Sequence, residues 1–202
     1  MDVGEKYYIK WNTEHSKSKE NIINKYEYFS YTLWTKILER VKDPKNYPNY
    51  IGCTVDKRWL NFSNFIKDLP KIPGYDLWLQ NLGKDKIHLD KDIKIKGNKE
   101  YSLKNCMFVP ERINYLILKS DKSRGELPIG VQTSKDKYQS RVKLNGKTIV
   151  LGNFKDKHSA FLMYKFNKEL IIQEIAKEMY DNGAIDVEVY DSLMRYKIEE
   201  ND

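Results

Sequence analysis

The strongest constraint on the fold is a run of strictly alternating side chains that leads into an Asn-Gly pair. From residue 137 to residue 144, basic and polar side chains alternate with a second set that is mostly apolar, and Asn145-Gly146 follows directly. A period of two predicts a β-strand with two unlike faces, and Asn-Gly is the strongest short signal for a hairpin turn. Residues 148–151 form the predicted returning strand, and Gly130-Val131-Gln132 begins an earlier one. The sequence therefore predicts three antiparallel strands.

A long amphipathic helix is predicted after these strands. Apolar side chains recur at helical spacing over residues 159–180, and Asn182-Gly183 provides a C-terminal cap. A small sheet must cover one of its faces, and this helix is the candidate partner. We expect the even-numbered side chains of the 137–144 strand to face the helix, which leaves the basic face open. A last short helix is predicted over residues 186–197.

The N-terminal half has the pattern of helices with one short strand. Helical spacing predicts helices over residues 28–41 and 58–69, and alternation over residues 86–93 predicts a strand. Residues 106–109 form a short apolar run. Pro110 is placed to open a helix that extends to Leu118, because proline is favoured in the first helical turn.

Charge is distributed unevenly along the chain. The 202 residues carry 36 Lys and Arg against 29 Asp and Glu, a formal net charge of +7. Residues 84–124 hold 11 basic and six acidic side chains, residues 127–158 hold seven and two, and residues 159–202 hold five and ten. Two basic segments followed by an acidic one indicate a polyanionic partner such as DNA. An ordinary solvated, lysine-rich surface has the same composition, so charge alone leaves both interpretations open.

The composition excludes several classes of protein. The sequence has no apolar run of the roughly 18 residues that a membrane span needs, and residues 1–10 lack the apolar stretch of a secretory signal. Two cysteines, Cys53 and Cys106, are too few for a disulfide scaffold or a four-cysteine zinc site. We therefore expect a soluble, intracellular protein without membrane contact, and a monomer.

Three side chains near residue 90 have the chemistry of a metal-dependent nuclease. His88, Asp90 and Asp92 are spaced by two, so they would share one face of an extended strand. Carboxylate oxygens suit Mg²⁺, which takes one or two protein ligands and keeps several waters, and histidine titrates near neutral pH. The alternative is an exposed hairpin in which the two carboxylates pair with neighbouring lysines and His88 is a surface residue.

Residues 128–170 contain a string of motifs with a specific spacing. Its members are Gly130-Val131, KYQSRV at 137–142, Gly146-Lys147, LGNF at 151–154, Ala160 and Tyr164. This string resembles the plant APETALA/ethylene-response-factor DNA-binding domain. The resemblance implies three strands packed on one helix and a sheet that binds double-stranded DNA in the major groove. By position, the DNA contacts that it implies are Gln132, Lys135, Tyr138, Gln139, Arg141 and Lys143, and the basic residues Lys137 and Lys147 are added as candidate DNA contacts. The family has Arg and Trp near the start of the sheet, where this chain has Gln132-Thr133-Ser134, so base specificity stays open.

Residues 31–113 contain a second ordered series of motifs. They are a Leu-Trp-x-x-Ile-Leu-x-Arg helix, GCTV at 52–55, RWL at 58–60, LDKD at 89–92, and YSLKNCMFVP at 101–110. The series resembles phage and intron-encoded HNH (His-Me finger) homing-type endonucleases, in which a β-hairpin and the helix after it hold one metal ion. The resemblance implies Asp90 and Asn114 as ligands of one Mg²⁺ or Mn²⁺ ion. It implies Asn105 as the residue that orients the general base.

The position of the general base departs from this family. The residue directly after Asp90, where the family has its base, is Lys91. An unperturbed lysine, with a pKa of about 10.4, is a poor base at neutral pH. His88 can serve instead from the same strand face, so His88 and Lys91 are both candidate catalytic residues. If His88 is the family histidine itself, Ile87 stands where a ligand belongs.

Together these observations predict an α+β protein with two domains. Residues 1–118 form a helical region with a ββα-metal (His-Me finger) motif, and residues 119–126 form a linker. Residues 127–202 form a three-stranded antiparallel sheet packed on one long helix, with a helical extension. The expected function is Mg²⁺-dependent cutting or nicking of double-stranded DNA, in the cytoplasm of a phage host or at the nucleoid. The alternatives are a catalytically inactive DNA-binding accessory or regulatory protein derived from such a nuclease, and a protein-interaction module that uses the acidic helix and the aromatic N-terminus.

Overall fold

The computed structural model describes residues 25–84, 86–117, 126–144, 146–200 and 202, which form a mixed α+β fold. They divide into two compact units, the first ending at Glu111 and the second beginning at Arg112. The predicted linker, apart from Glu126, and the aromatic N-terminus lie outside the described residues, so the domain boundary at residue 118 stays a prediction. Among the described helices, none combines the length and the apolar character that crossing a bilayer requires.

The first unit consists of short helices and two small pairs of strands. Its helices are α1 (Lys25–Lys42), α2 (Phe62–Asp68) and α3 (Tyr75–Gln80). Its strands are β1 (Thr54–Val55), β2 (Ile87–Asp90), β3 (Glu100–Tyr101) and β4 (Met107–Pro110). β1 pairs in parallel with β3, and β2 pairs antiparallel with β4. The helix predicted over residues 28–41 is confirmed by α1.

The helix predicted over residues 58–69 is wrong as one continuous element, because it is interrupted at Asn61. A 3₁₀ turn covers Lys57–Leu60, and α2 begins at Phe62. Asn61 has an extended backbone (φ −106°, ψ 118°), and its side-chain oxygen accepts a hydrogen bond from the Ser63 N–H. Asparagine is a favoured N-cap because this bond satisfies a free helix donor, so Asn61 starts a new helix instead of continuing the turn.

Aromatic side chains form the core of the first unit. Trp34 and Trp59 are fully buried, and the Trp34 indole N–H donates to the Trp59 carbonyl oxygen at 2.7 Å. Trp78 stacks on Phe108 of β4, with ring centroids 5.1 Å apart, and Leu89 of β2 pairs with Phe108 across the hairpin. Aromatic stacking and burial of this kind dominate core energetics, so the β2–β4 pair is anchored firmly by one of its faces.

The second unit contains a sheet covered by one long helix. Its elements are α4 (Glu111–Ile117), which begins at the division between the units, β5 (Val131–Ser134), β6 (Lys137–Leu144), β7 (Lys147–Phe154), α5 (Lys157–Asp181) and α6 (Val187–Met194). The sheet is antiparallel with the order β5-β6-β7, and α5 packs against all three strands. The predicted three-stranded sheet on one long helix is confirmed.

Side-chain caps set the ends of the helices in this unit. The Asp156 carboxylate accepts from the Ser159 N–H at the start of α5, and the Asp186 carboxylate accepts from the Val189 N–H at the start of α6. Gly183 follows α5 with φ 67°, the left-handed conformation that ends many helices. The predicted cap at Asn182-Gly183 and the predicted last helix are therefore confirmed.

Candidate functional site

One face of the three-stranded sheet is lined by polar and basic side chains. Ser140 and Val142 are buried on the side of α5, so alternation along β6 places Gln139 and Arg141 on the opposite side. We call that opposite side the open face. The predicted DNA contacts that lie on it are Gln132, Lys137, Gln139, Arg141 and Lys143.

Cross-strand hydrogen bonds order the polar groups of the open face. The Arg141 guanidinium donates to the Gln132 side-chain oxygen, and the Gln139 amide donates to the Asn153 side-chain oxygen at 3.2 Å. Gln132 and Gln139 also pair directly across β5 and β6. Guanidinium and carboxamide groups are the side chains that read base edges in the major groove in DNA-binding proteins. Pairing across strands restricts these side chains, so they would lose less entropy on binding a ligand.

Three further residues of the open face were missed in the sequence. Lys143 pairs with Thr148 and Arg141 pairs with Val150, so Thr148 and Val150 lie on the open face, as does Asn153 opposite Gln139. Val150 is 52% exposed, although it is apolar. The register could have been read from the two-residue Asn145-Gly146 connection, which sets Leu144 opposite Lys147. The pairing of β6 with β7 shifts by one residue between Ser140 and Arg141, and nothing in the sequence indicates this shift.

The other predicted DNA contacts lie away from the open face. Tyr138 lies on the side of Ser140 and Val142, opposite the open face, and its role as a DNA contact stays a prediction. Lys135 is exposed in the connection between β5 and β6, with φ 53°. Lys147 is exposed at the hairpin end, opposite Leu144.

The predicted strand over residues 86–93 ends early, at Asp90. The Asp90 Oδ1 atom accepts hydrogen bonds from the Asp92 N–H and the Ile93 N–H, both at 2.8 Å. This side-chain turn replaces the ladder bonds that a longer strand would make. Asp92 therefore lies outside β2, and the prediction that it shares a strand face with His88 and Asp90 is corrected.

The Asp90 carboxyl group lies in an electrostatically unfavourable place. Burial and, after it, the negative charge of Asp92 raise its pKa to about 6, against the backbone N–H groups of Ile93 and Asp92 and the charge of Lys91. A carboxylate that is buried and crowded by a second carboxylate favours a bound proton or cation. Asp90 is therefore the strongest single candidate for a cation ligand in the first unit.

His88 lies two residues before Asp90 on the same face of β2. Its partner across the hairpin is Val109, which is fully buried. The His88 Nε2 atom is buried and has no hydrogen-bond partner among the described residues. Buried polar atoms are nearly always hydrogen-bonded, so this unsatisfied imidazole nitrogen, on the strand face that also carries Asp90, is a candidate for a catalytic group.

Lys91 is held in a small cage of aromatic and acidic groups. Its ammonium nitrogen lies 3.5 Å from the Asp92 carboxylate, and it lies 6.0 Å and 5.8 Å from the ring centroids of Tyr50 and Tyr101. Its side chain is only 13% exposed. Ring faces and carboxylates both attract a cation, so these contacts hold the Lys91 ammonium group in place.

Asn105 acts on the segment after Asp90 through a second asparagine. The Asn105 amide donates to Asn98 Oδ1 at 3.0 Å and to the Glu100 carboxylate at 3.2 Å. The Asn98 amide in turn donates to the carbonyl oxygens of Lys91 and Glu100, at 2.6 and 2.8 Å. Asn105 was predicted to orient the general base, for which His88 and Lys91 are the candidates. Its contacts lead by way of Asn98 to the main chain of Lys91, and the sequence did not indicate Asn98.

Asp90 is the side chain of this region that would supply a carboxylate to a divalent cation. Among the described residues, no three His, Cys, Asp or Glu side chains form a group that could hold a metal ion, so His88, Asp90 and Asp92 do not act as one donor set. Mg²⁺ needs only one or two carboxylates and completes its shell with water and phosphate. Asn114, the second predicted ligand, lies on α4 in the second unit, and its role stays a prediction.

The two cysteines carry no chemistry of this kind. Both thiols are free and buried, and burial raises the pKa of the Cys106 thiol to about 12. A thiol with a raised pKa is a poor nucleophile and a poor metal ligand at neutral pH.

Comparisons of the chain with protein-family models, curated proteins and solved structures found no match. Both family resemblances therefore stay predictions from the sequence.

Proposed function

We propose that this protein is a DNA endonuclease that binds double-stranded DNA through the open face and hydrolyses a phosphodiester bond with one Mg²⁺ or Mn²⁺ ion. The open face is the observation that carries the proposal. It combines one guanidinium, three carboxamides and two lysines on a rigid sheet that α5 supports from behind. Phosphate contacts from the lysines would set the position on the duplex, and the amide and guanidinium groups would contact base edges.

Cleavage is assigned to the end of β2. His88 would accept a proton from the attacking water at Nε2, the atom that lacks a protein partner. The water oxygen then bonds to phosphorus, and the bond from phosphorus to the leaving sugar oxygen breaks, with a solvent proton on the leaving oxygen. A divalent cation held by Asp90 would stabilise the negative charge on that oxygen. Asn105 and Asn98 would fix the main chain beside Asp90.

The test is nicking of a supercoiled plasmid in Mg²⁺ or Mn²⁺. We expect nicking by the wild-type protein, and a loss of at least about 100-fold in the His88→Ala variant, the usual scale for removal of a general base. Asp90→Ala should lose activity as well. Lys91→Met should retain nicking, because Lys91 transfers no proton. His158→Ala, which removes an exposed histidine of the second unit, is the matched control and should be as active as the wild type.

A catalytically inactive DNA-binding protein is the second candidate, and the surroundings of Lys91 favour it. The position of the family's base is filled by a caged ammonium group. This candidate predicts salt-dependent DNA binding without nicking in either metal. Equal nicking by the wild type and Asp90→Ala would also exclude the proposed active site, because a contaminating nuclease would then explain the cleavage.

A further inference from the structure

The helix α5 has an exposed apolar stripe on the side away from the sheet. Leu162, Phe166 and Leu170 are spaced by four residues, so they follow one another along one face of the helix. Their exposed fractions are 48%, 67% and 42%. Ala160 and Tyr164 are buried on the other side of the same helix. Single exposed apolar residues are common, but a contiguous row with a mostly exposed phenylalanine marks an interaction surface.

We propose that this stripe is the contact surface for a second copy of the chain, with the two α5 helices packed antiparallel about a two-fold axis at Phe166. In this arrangement Phe166 meets its own copy, and Leu162 meets Leu170 of the second copy. A two-fold contact is self-complementary, so one stripe serves both partners. The sequence led us to expect a monomer, and the proposed contact would instead give a dimer. The proposal does not depend on DNA binding or cleavage.

The charges at the two ends of the stripe identify the partner and its direction. Lys157 lies about one turn before Leu162, and the exposed Glu174 lies one turn after Leu170. His158, beside Lys157, already pairs with Glu200 of its own chain at 2.8 Å. Antiparallel packing brings Glu174 of one copy towards Lys157 of the other, and it also opposes the two helix dipoles. Parallel packing would place Glu174 beside Glu174 and Lys157 beside Lys157, which is repulsive. The stripe and its flanking charges are therefore complementary to themselves in one direction only.

The size of the contact sets its strength. A single pair of helices buries less than the roughly 1,200 Å² at which standard protein interfaces begin. We therefore expect a weak dimer, with a dissociation constant of about 10–100 μM, which is about 5.5–7 kcal/mol.

Sedimentation velocity of the full chain between about 5 and 500 μM tests the proposal. The wild type is expected to shift from monomer to dimer over this range, and Phe166→Glu is expected to stay monomeric throughout. Ile95→Glu is the matched control, because Ile95 is an exposed apolar residue of the first unit, and it should dimerise like the wild type. A wild type that is monomeric at the highest concentration, or an Ile95→Glu variant as impaired as Phe166→Glu, overturns the proposal.

Cysteine cross-linking tests the direction. Cys53 and Cys106 are buried, so introduced thiols should react without competition. Phe166→Cys is expected to form a disulfide-linked dimer, and a mixture of Leu162→Cys with Leu170→Cys is expected to link more than either variant alone. Efficient linking of Leu162→Cys to itself, with no dimer that joins Leu162→Cys to Leu170→Cys in the mixture, would show parallel packing and overturn the proposed arrangement.

Discussion

Gly130 lies against the ring of Tyr164, so close that a Cβ atom on Gly130 would fall 2.1 Å from Tyr164 Cγ. Gly130 also has φ 75°, a conformation that side chains with a Cβ rarely adopt. Its carbonyl oxygen accepts a hydrogen bond from the Arg141 N–H at 2.8 Å. Gly130 therefore contacts α5 through Tyr164, and its carbonyl oxygen holds the backbone of Arg141, which lies on the open face.

Replacement of Gly130 by alanine should destabilise the second unit strongly. The left-handed conformation alone costs about 1–2 kcal/mol with a Cβ, and the clash with Tyr164 forces the ring or the strand to move, so we expect a loss of about 3 kcal/mol or more. Gly146→Ala is the matched control, since Gly146 has φ 78° and open space around it. Chemical denaturation measures both variants, and an equal loss in the two would contradict this account.

Asp90→Asn should stabilise the protein at neutral pH and have little effect in acid. The pKa of the Asp90 carboxyl group is raised from its ordinary value of 3.8 to about 6 in the folded state. Its favourable contribution to the free energy of unfolding is therefore complete below pH 3.8 and is lost as the pH rises through 6. An asparagine oxygen can keep the two backbone hydrogen bonds without carrying charge. We expect a gain of about 3 kcal/mol at pH 7.5, from about 1.4 kcal/mol per pH unit. Denaturation at pH 7.5 and pH 3.5 measures it, and a gain that is equal at both pH values would refute the electrostatic cause.

Asn98→Ala should loosen the segment after Asp90 while leaving the fold intact. It removes the bonds to the Lys91 and Glu100 carbonyl oxygens and one acceptor of Asn105, a loss of about 1–3 kcal/mol. Hydrogen exchange at the Asp92 and Ile93 amides should become faster. Asn64→Ala, which removes an exposed bond to the Arg58 carbonyl oxygen, should leave these two amides unchanged. Unchanged exchange in Asn98→Ala would exclude the proposed relay.

Local patterns predicted the second unit well. Alternation before Asn145-Gly146 and helical spacing after residue 157 each depend on near neighbours, and the sheet and α5 follow them. The end of β2 was predicted wrongly, because the alternation of side chains continues to Ile93. In the structure the Asp90 carboxylate accepts hydrogen bonds from the Asp92 and Ile93 N–H groups, which ends the strand. The pairing of β1 with β3 joins residues 54 and 100, and such a distant pair of two-residue strands has no periodic signal. The sequence could name the candidate site residues. The contacts of Lys91 with Tyr50 and Tyr101 join distant parts of the chain, so only the folded structure shows them.

The most direct test of DNA binding by the open face is a fluorescence-anisotropy titration of a labelled duplex at several salt concentrations. We expect the logarithm of the wild-type association constant to fall linearly with the logarithm of the salt concentration, with a slope of about −0.9 for each phosphate contacted. Arg141→Ala should weaken binding about tenfold or more, the scale of one lost guanidinium contact. Arg195→Ala, which removes an exposed arginine beyond the end of α6, should change affinity less than about twofold. Absence of wild-type binding at low salt, or equal losses in the two variants, would contradict the central claim.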